Sequence, residues 1–194
     1  MKRIAIITLA ALITLSMTAP AFAKAGTSTS QDTEIDGSVV LATAPASGFD
    51  TGLGITVGAG TTLPHIDKNL QGRVDISYFT WSASQFGVDV SYTRIPLLFS
   101  GRYFVPTRDN RLKVYIQGGL ELSFDKVEAA ITLPSPPFAF GTVKESSSET
   151  RIGLVPGAGI EYKLSPTLGL VVDARWHIIT DGYLTVQFGL ASHF

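Results

Sequence analysis

The sequence predicts an all-β fold, an eight-stranded antiparallel up-and-down β-barrel that spans a membrane. Apolar residues alternate with polar or small residues along one segment after another, which is the period of a strand with two different faces. The non-apolar face carries charges of both signs beside many glycines, as the narrow interior of a small barrel requires. The chain also ends on such a segment, with no turn after it.

The first 23 residues have the pattern of a secretory signal peptide. Lys2 and Arg3 precede an almost wholly apolar run over residues 4–17, and Ala21-Phe22-Ala23 matches a small-residue cleavage site. An N-terminal membrane anchor is the alternative, but the apolar run is short for a helical span of about 20 residues. We therefore predict export and cleavage near Ala23, which changes the net charge from −1 to −3. Because the chain has no cysteine, export adds no disulfide framework.

The first half of the exported chain begins without a clear strand. Residues 24–36 are polar and small, so we predict a flexible periplasmic leader before a barrel formed by residues 37–194. Residues 38–46 are a weak first strand that Pro45 interrupts. Residues 52–63 alternate clearly, and residues 70–81 form a strong third strand.

Residues 88–104 are ambiguous, because the apolar parity changes between Tyr92 and Ile95. A two-residue hairpin at Thr93-Arg94 is one explanation, and a single long strand whose upper part stands above the membrane is the other. Tight hairpins favour Gly, Asn or Asp, so we favour the single strand. Either interpretation gives eight strands in total.

The second half contains four more alternating segments, over residues 112–124, 150–164, 168–179 and 183–194. Residues 126–149 are predicted as the longest connection, with a Pro-rich apolar centre over residues 131–140. Long loops are where barrels keep recognition. This loop could bind a surface ligand, fold over the mouth of the barrel or lie against lipid headgroups; the alternative is a variable loop with no partner.

The connections then fall on two sides of the membrane. We predict periplasmic turns at residues 64–69, 105–110 and 165–167, and extracellular loops at residues 47–50, 82–87, 126–149 and 180–182. Both ends of the barrel lie on the periplasmic side in this arrangement. Two aromatic girdles are expected at the rims, one of Tyr103, Tyr162 and Phe194 and the other of Tyr78, Trp81 and Trp176.

The last eight residues resemble the C-terminal assembly signal of bacterial outer-membrane β-barrels. Gln187, Gly189 and Phe194 match that signal, whereas Ser192 departs from it at the penultimate large position. With this ending, the exported chain resembles the small OmpA/OmpX-like eight-stranded barrel superfamily. The resemblance implies the cell outer membrane of a Gram-negative bacterium, with outer-membrane lipids and the barrel assembly machinery as partners. We expect a monomer, and nothing in the charge pattern suggests a nucleic-acid partner.

The charges on the non-apolar face are the candidate site. They are Arg73, Asp75, Arg102, Lys113, Glu121, Arg151, Glu161, Asp173, Arg175 and His177. Charges inside a narrow barrel need partners, because burial without a partner is costly. We therefore predict a structural network of paired charges in the lumen; a gate in a narrow porin-like channel is the alternative.

Catalysis is the remaining question, because some small outer-membrane barrels modify lipid A. Lipid A deacylases of this size carry His, one residue, then Ser, but His177 is followed by Ile178 and Ile179. We expect no enzymatic activity and no cofactor. Three dispersed histidines and no cysteine also argue against a metal site. The predicted role is structural, with surface display; the rivals are a narrow pore, a lipid A-modifying enzyme and a soluble periplasmic ligand-binding barrel with an apolar interior.

Overall fold

The computed structural model describes residues 33–46, 48–85, 88–131, 143–180 and 182–194. The predicted signal peptide lies outside these residues, as do the first part of the predicted leader, Asp181 and residues 132–142 of the predicted long loop. None of the described residues forms a helix long and apolar enough to cross a membrane.

The described residues form nine segments of strand. They are β1 (Thr33–Ala42), β2 (Gly52–Leu63), β3 (Asp67–Gln85), β4 (Val88–Val105), β5 (Leu112–Ile131), β6 (Val143–Leu154), β7 (Gly157–Lys163), β8 (Leu168–His177) and β9 (Tyr183–His193).

Segments β6 and β7 are two parts of one barrel strand. Both pair with β5 in one continuous register, from Leu120↔Leu154 to Gln117↔Gly157. Pro156 lies between them, and proline has no N–H to donate to the ladder. The barrel therefore has eight strands, and the segment predicted over residues 150–164 is one strand with a proline inside it.

The sheet is antiparallel throughout and closes on itself. Each barrel strand pairs with the strand that follows it in the chain, including β4 with β5. The last strand, β9, pairs with β1 and so closes the barrel at the seam. At the end of the seam that we predict to be periplasmic, Thr33 and Phe194 exchange backbone hydrogen bonds of 3.3 and 2.9 Å. The predicted eight-stranded antiparallel barrel is confirmed.

The first strand differs from its prediction at both ends. It begins at Thr33, inside the segment predicted as leader, and ends at Ala42, before Pro45. Glu34 and Asp36 are buried in the barrel interior, where they have ion-pair partners. The predicted boundary at residue 36 is therefore wrong, because charged side chains that face a polar lumen look like a solvated leader in the sequence.

Residues 88–105 form the single strand that we favoured. Tyr92 and Arg94 are buried in the lumen, whereas Ile95 and Phe99 are exposed on the outside. The alternation of faces does not change along β4. The apolar residues change sides because they face inward in the upper part of the strand and outward in the lower part.

The predicted long connection over residues 126–149 is wrong at both ends. Residues 126–131 belong to β5 and pair with residues 143–148 of β6. Ser82 to Gln85, predicted as a connection, likewise belong to β3 and pair with β4. The alternating signal disappears in these segments because their outward residues, such as Lys126 and Ser82, are polar.

The outside of the barrel carries an apolar belt. Outward positions of β5 from Leu112 to Phe124 are apolar or glycine, and Ile116 and Leu120 are each 57% exposed. At about 3.3 Å per residue and a tilt of about 45°, this stretch spans roughly 28 Å, close to the apolar band of about 25 Å in outer-membrane barrels. The next outward residue, Lys126, marks the end of the belt.

The aromatic girdles are placed as predicted in most positions. Tyr103 and Tyr162 are exposed near the periplasmic rim, and Tyr78 and Trp176 are exposed near the other rim. The prediction that Trp81 belongs to a girdle is wrong, because Trp81 is 1% exposed and packs in the lumen. It lies on the inward parity of β3, two positions beyond the buried Phe79.

Candidate functional site: the charged interior

The half of the lumen that we predict to be periplasmic is organised around Arg73; the opposite half is the one predicted to be extracellular. Its guanidinium bonds three carboxylates: Glu34 at 2.8 Å, Asp75 at 2.7–2.8 Å, and Asp36. All four side chains are buried. Gly58 makes room for this cluster, since a Cβ atom there would overlap Arg73 and Asp75. A guanidinium has five donors in a rigid fork, so one arginine can hold three carboxylates from two strands.

Arg175 crosses the lumen to the same cluster. It donates to Asp75 on β3 at 3.2 Å and to both oxygens of Asp173 on its own strand at 3.1 Å. The Tyr115 hydroxyl donates to Asp173 at 3.2 Å. Side chains from opposite walls of the barrel therefore meet in the middle.

Arg102 completes this layer. It donates to Glu34 at 3.0 Å, and its guanidinium carbon lies 4.0 Å from the centre of the Tyr115 ring. Its Nε and Nη2 have no hydrogen-bond partner among the described residues, and the neighbouring Gln117 amide is also unpaired. Buried donors rarely stay unpaired, so this part of the lumen has the chemistry to hold water.

A second charged layer lies nearer the extracellular end. Arg94 donates to Asp125 at 2.6 and 2.8 Å and lies 4.8 Å from the centre of the Tyr183 ring. The Tyr92 hydroxyl donates to Asp125 at 2.7 Å and also bonds Arg94. Arg151 approaches Asp125 at 3.4 Å from a position that is 19% exposed.

His177 lies at the centre of a buried polar chain. Its Nδ1 bonds Glu121, and its Nε2 lies 3.1 Å from the Thr185 hydroxyl. Its ring stacks on Tyr183 with centroids 4.2 Å apart. This order of hydroxyl, imidazole and carboxylate has the composition of a nucleophile, base and orienting acid. Thr185 is 0% exposed and His177 is 3% exposed, however, so neither is open to a substrate.

Aromatic side chains close the lumen above this chain. Val40, Ala42, Phe79, Trp81, Tyr92 and Tyr183 form one buried cluster. Trp81 packs against Tyr183 with ring centroids 5.6 Å apart and against Tyr92 at 5.3 Å. The mouth that we predict to be extracellular is therefore filled by aromatic rings.

The periplasmic rim has a smaller charged group. Glu161 is buried and bonds His193 at 2.8 Å and Lys113 at 3.5 Å. Lys113 is 30% exposed and His193 is 14% exposed. This group lies between the buried network and the end of the barrel that we predict to be periplasmic.

All ten residues predicted for the lumen network lie on the inward face. The structure divides them between the layers just described: Arg73, Asp75, Arg102, Asp173 and Arg175 in the periplasmic half, Glu121, His177 and Arg151 in the extracellular half, and Lys113 with Glu161 at the rim. The whole set does not form one site.

Sequence reasoning missed four central members: Glu34, Asp36, Arg94 and Asp125. Glu34 and Asp36 were assigned to the leader, although they share one parity with Ser38 and Val40. Arg94 falls in the ambiguous segment where the apolar parity changes, and Asp125 falls just past the predicted strand over residues 112–124. Extending the strand parity by a few residues beyond the predicted ends would have found Glu34, Asp36 and Asp125, and following the parity of Tyr92 through residues 88–104 would have found Arg94.

The residues of the predicted assembly signal lie on β9 and just after it. Gln187 is buried and accepts a hydrogen bond from Ser38 at 3.1 Å. A Cβ atom at Gly189 would overlap the backbone oxygen of Gly37, so β1 leaves no room for a larger residue there. Phe194 pairs with Thr33 through the backbone. Their role in assembly stays a prediction.

The fold and the interior together define a class of protein. An apolar belt on the outside, charges inside and a closed eight-stranded sheet describe a small membrane-spanning barrel, and the polar interior excludes the soluble carrier with an apolar interior. Residues 7–194 match the family model described as outer membrane protein beta-barrel domain. The chain belongs to this family and is an outer-membrane β-barrel protein.

Solved structures support the same fold. Ail, the attachment invasion locus protein of Yersinia pestis, is 13% identical with a TM-score of 0.57, covering 86% of this chain and all of Ail. A major outer membrane protein from Thermus thermophilus is 14% identical with a TM-score of 0.58, covering 84% and 98%. Neisserial surface protein A is 18% identical with a TM-score of 0.53, covering 85% and 96%. No curated protein sequence matches the chain.

Proposed function

We propose that the protein is a surface-display protein of the outer membrane, without channel or enzymatic activity. In this proposal the filled barrel is an anchor, and the active part is a four-stranded sheet above the bilayer. The observation that carries it is the unequal height of the barrel wall, together with an interior that is closed by buried side chains.

The upper ends of the strands differ on the two sides of the barrel. The seam of β1 and β9 ends at Ala42↔Thr185, and β8 ends with a bridge between Leu154 and Ile178. In contrast, β3 and β4 pair up to Gln85↔Val88, and β5 and β6 pair up to Ile131↔Val143. These four strands therefore continue as a sheet beyond the rest of the barrel; we call this part the protruding sheet, residues 82–85, 88–91, 126–131 and 143–149.

The chemistry of the protruding sheet suits a water-exposed binding surface. Its surface holds a cavity of about 530 Å³ lined by serines and carboxylates, among them Ser84, Asp89, Glu128 and Glu145. These groups are hydrogen-bond acceptors and hydroxyls, in contrast to the apolar belt below. The surface ligand expected for residues 126–149 remains part of this proposal, with the paired strand ends in place of a long loop.

The interior supports an anchor more than a channel. The largest fully buried side chains include Trp81, Arg94, Arg102, Tyr115 and Arg175. They lie in the aromatic cluster and in both charged layers, so a solute would meet them at every level. The interior of an eight-stranded barrel is normally filled by side chains in this way.

The buried polar chain at His177 supports a structural role more than catalysis. Thr185 is within hydrogen-bond distance of His177, as a nucleophile would be, but the lumen gives no approach to its hydroxyl. The same hydrogen bonds give His177 and Thr185 partners inside a closed lumen, where an unpaired polar group is costly.

The test combines surface labelling with conductance. The chain has no cysteine, so Ser84→Cys in the protruding sheet and Ser165→Cys in a periplasmic turn can be labelled one at a time with a membrane-impermeant maleimide. On intact cells we expect labelling of the first variant alone, and labelling of both after the outer membrane is permeabilised. The purified protein should give no stable current steps in planar bilayers.

Two results would contradict the proposal. Labelling of Ser165→Cys but not Ser84→Cys on intact cells would place the protruding sheet in the periplasm. Reproducible current steps that persist in the Ser84→Cys protein would support the channel instead.

A further inference from the structure

The periplasmic mouth of the barrel brings together one histidine and two glutamates. One ligand atom from each of Glu34, Glu161 and His193 lies within 4.8 Å of the other two. The residues belong to β1, β7 and β9, and Glu34 faces His193 directly across the seam. We propose that these side chains, with Gln71, bind a divalent transition-metal ion, for which Zn²⁺ is the best match.

Free lone pairs remain where the ion would bind. Glu34 Oε1 accepts from Arg73 and Arg102, but Oε2 accepts from Gln71 Nε2 alone, at 3.0 Å. A carboxylate has about four lone-pair positions, so Glu34 can accept one more ligand. Glu161 Oε1 contacts His193, while Lys113 approaches the other oxygen.

A buried side chain beside Glu34 has an unpaired oxygen. Gln71 is 2% exposed, and its Oε1 has no hydrogen-bond partner among the described residues. The nitrogen of the same amide donates to Glu34, and the Gln71 side chain lines a cavity together with Glu34 and His193. A buried acceptor without a partner is costly in free energy, so a donor or a cation in this cavity would stabilise it.

The charge of the buried network favours an additional cation. The ion pairs around Glu34 join three guanidinium groups, those of Arg73, Arg102 and Arg175, to four carboxyl groups, those of Glu34, Asp36, Asp75 and Asp173. All seven side chains are almost wholly buried. Carboxyl groups outnumber guanidinium groups by one in this network. The surplus group needs a proton or a further cation, because burial of an uncompensated charge is strongly unfavourable.

The site is open to the periplasm. Glu34, Gln71, Lys113 and His193 line a cavity of about 290 Å³ whose other walls include Thr107 and Asn110 of the connection between β4 and β5. An ion could therefore enter without passing through the filled lumen.

The donor set decides between metals. Imidazole nitrogen with carboxylate oxygen suits Zn²⁺, whereas Ca²⁺ and Mg²⁺ prefer oxygen alone. Tetrahedral Zn²⁺ with bonds of about 2.0–2.1 Å needs ligand atoms roughly 3.3 Å apart, so the three must approach by up to about 1.5 Å. His193 can supply this movement, because it is partly exposed beside the end of β9.

This site is contrary to the expectation of no metal, which rested on the dispersal of the histidines in the sequence.

The test is zinc binding by the protein purified without an affinity tag from outer membranes in detergent. Titration calorimetry should give one Zn²⁺ per folded chain in the micromolar range. His193→Asn and Glu161→Gln should weaken binding at least about tenfold. The matched control is His65→Asn, which removes an exposed imidazole from the turn at residues 64–66 on the same side of the membrane. It should bind zinc as the unchanged protein does.

Several results would overturn the site. They are the absence of zinc binding, unchanged affinity in His193→Asn, or an equal loss in His65→Asn. If the variants fail to fold, X-ray absorption of the zinc-loaded unchanged protein decides. One imidazole with oxygen ligands supports the site, and two or more imidazoles overturn it. The outcome is independent of surface display, which concerns the opposite end of the barrel.

Discussion

Arg175 donates a hydrogen bond of 3.2 Å to Asp75 across the barrel, from β8 to β3. These strands are four neighbours apart in either direction around the closed sheet, so the bond joins opposite walls. The residues are 100 positions apart in the chain. The interior network therefore links opposite walls of the barrel, in addition to providing partners for individual charges.

The first prediction concerns this cross-lumen bond. Arg175→Met should lower the free energy of unfolding by about 3–5 kcal/mol, because Asp75 and Asp173 lose a buried partner. Urea unfolding in lipid vesicles, followed by the gel mobility of folded and unfolded protein, measures the change. The control is Lys126→Met, which removes the exposed ion pair with Glu128 and should leave the free energy of unfolding nearly unchanged. Equal effects of the two changes would show that the network does not stabilise the barrel.

The second prediction concerns the space that Gly58 leaves for Arg73. Gly58→Ala should lower the free energy of unfolding by about 1–3 kcal/mol, because the new methyl group forces Arg73 and Asp75 to move. Gly118→Ala is the matched control, since a Cβ atom there meets nothing within 4 Å. The same unfolding assay applies. A Gly58→Ala protein as stable as the Gly118→Ala protein would mean that the ion cluster can rearrange freely.

The third prediction separates the two tryptophans of the chain. Trp81 is 1% exposed in the lumen, whereas Trp176 is 61% exposed on the apolar belt. Brominated lipids should therefore quench the fluorescence of Trp81→Phe, which keeps Trp176, much more than that of Trp176→Phe. Steady-state fluorescence in vesicles is sufficient. Similar quenching in both variants would place Trp81 in the lipid-facing girdle after all.

The fourth prediction tests the buried chain at His177. Thr185→Val should lower the free energy of unfolding by about 1–3 kcal/mol, because a nitrogen of His177 loses its partner. Mass spectrometry of lipid A from cells that express either protein should give the same spectrum as cells without it. A modified lipid A that appears with the unchanged protein and disappears with Thr185→Val would establish the enzyme instead.

The sequence was most informative where strands lie in the membrane. The alternation over residues 52–63 and 112–124 predicted β2 and most of β5, because lipid outside and a polar lumen inside leave a strict period of two. The lumen residues followed from the same parity. The choice of a single strand at residues 88–104 followed from the poor turn chemistry of Thr93-Arg94.

It was least informative where a strand leaves the membrane or carries charge. In the protruding sheet both faces meet water, so residues such as Ser146 and Glu128 give no alternating signal. Glu34 and Asp36 were hidden because a charged inward face resembles a solvated leader. The ion-pair partners inside the lumen could not be predicted either, since no local sequence pattern shows that Asp75 contacts Arg175 across the barrel.

The seam between β1 and β9 has a consequence for how this protein could be rebuilt. Thr33 and Phe194 are hydrogen-bonded neighbours, so a short linker could join them and leave the sheet intact. New ends could then be opened in the turn at residues 64–66 or in the one that follows Lys163. The order in which the strands are synthesised would change while every neighbour stays the same. Such a circular permutant would show whether formation of the barrel depends on the amino-acid sequence of β9 or on the position of β9 as the last strand to be synthesised.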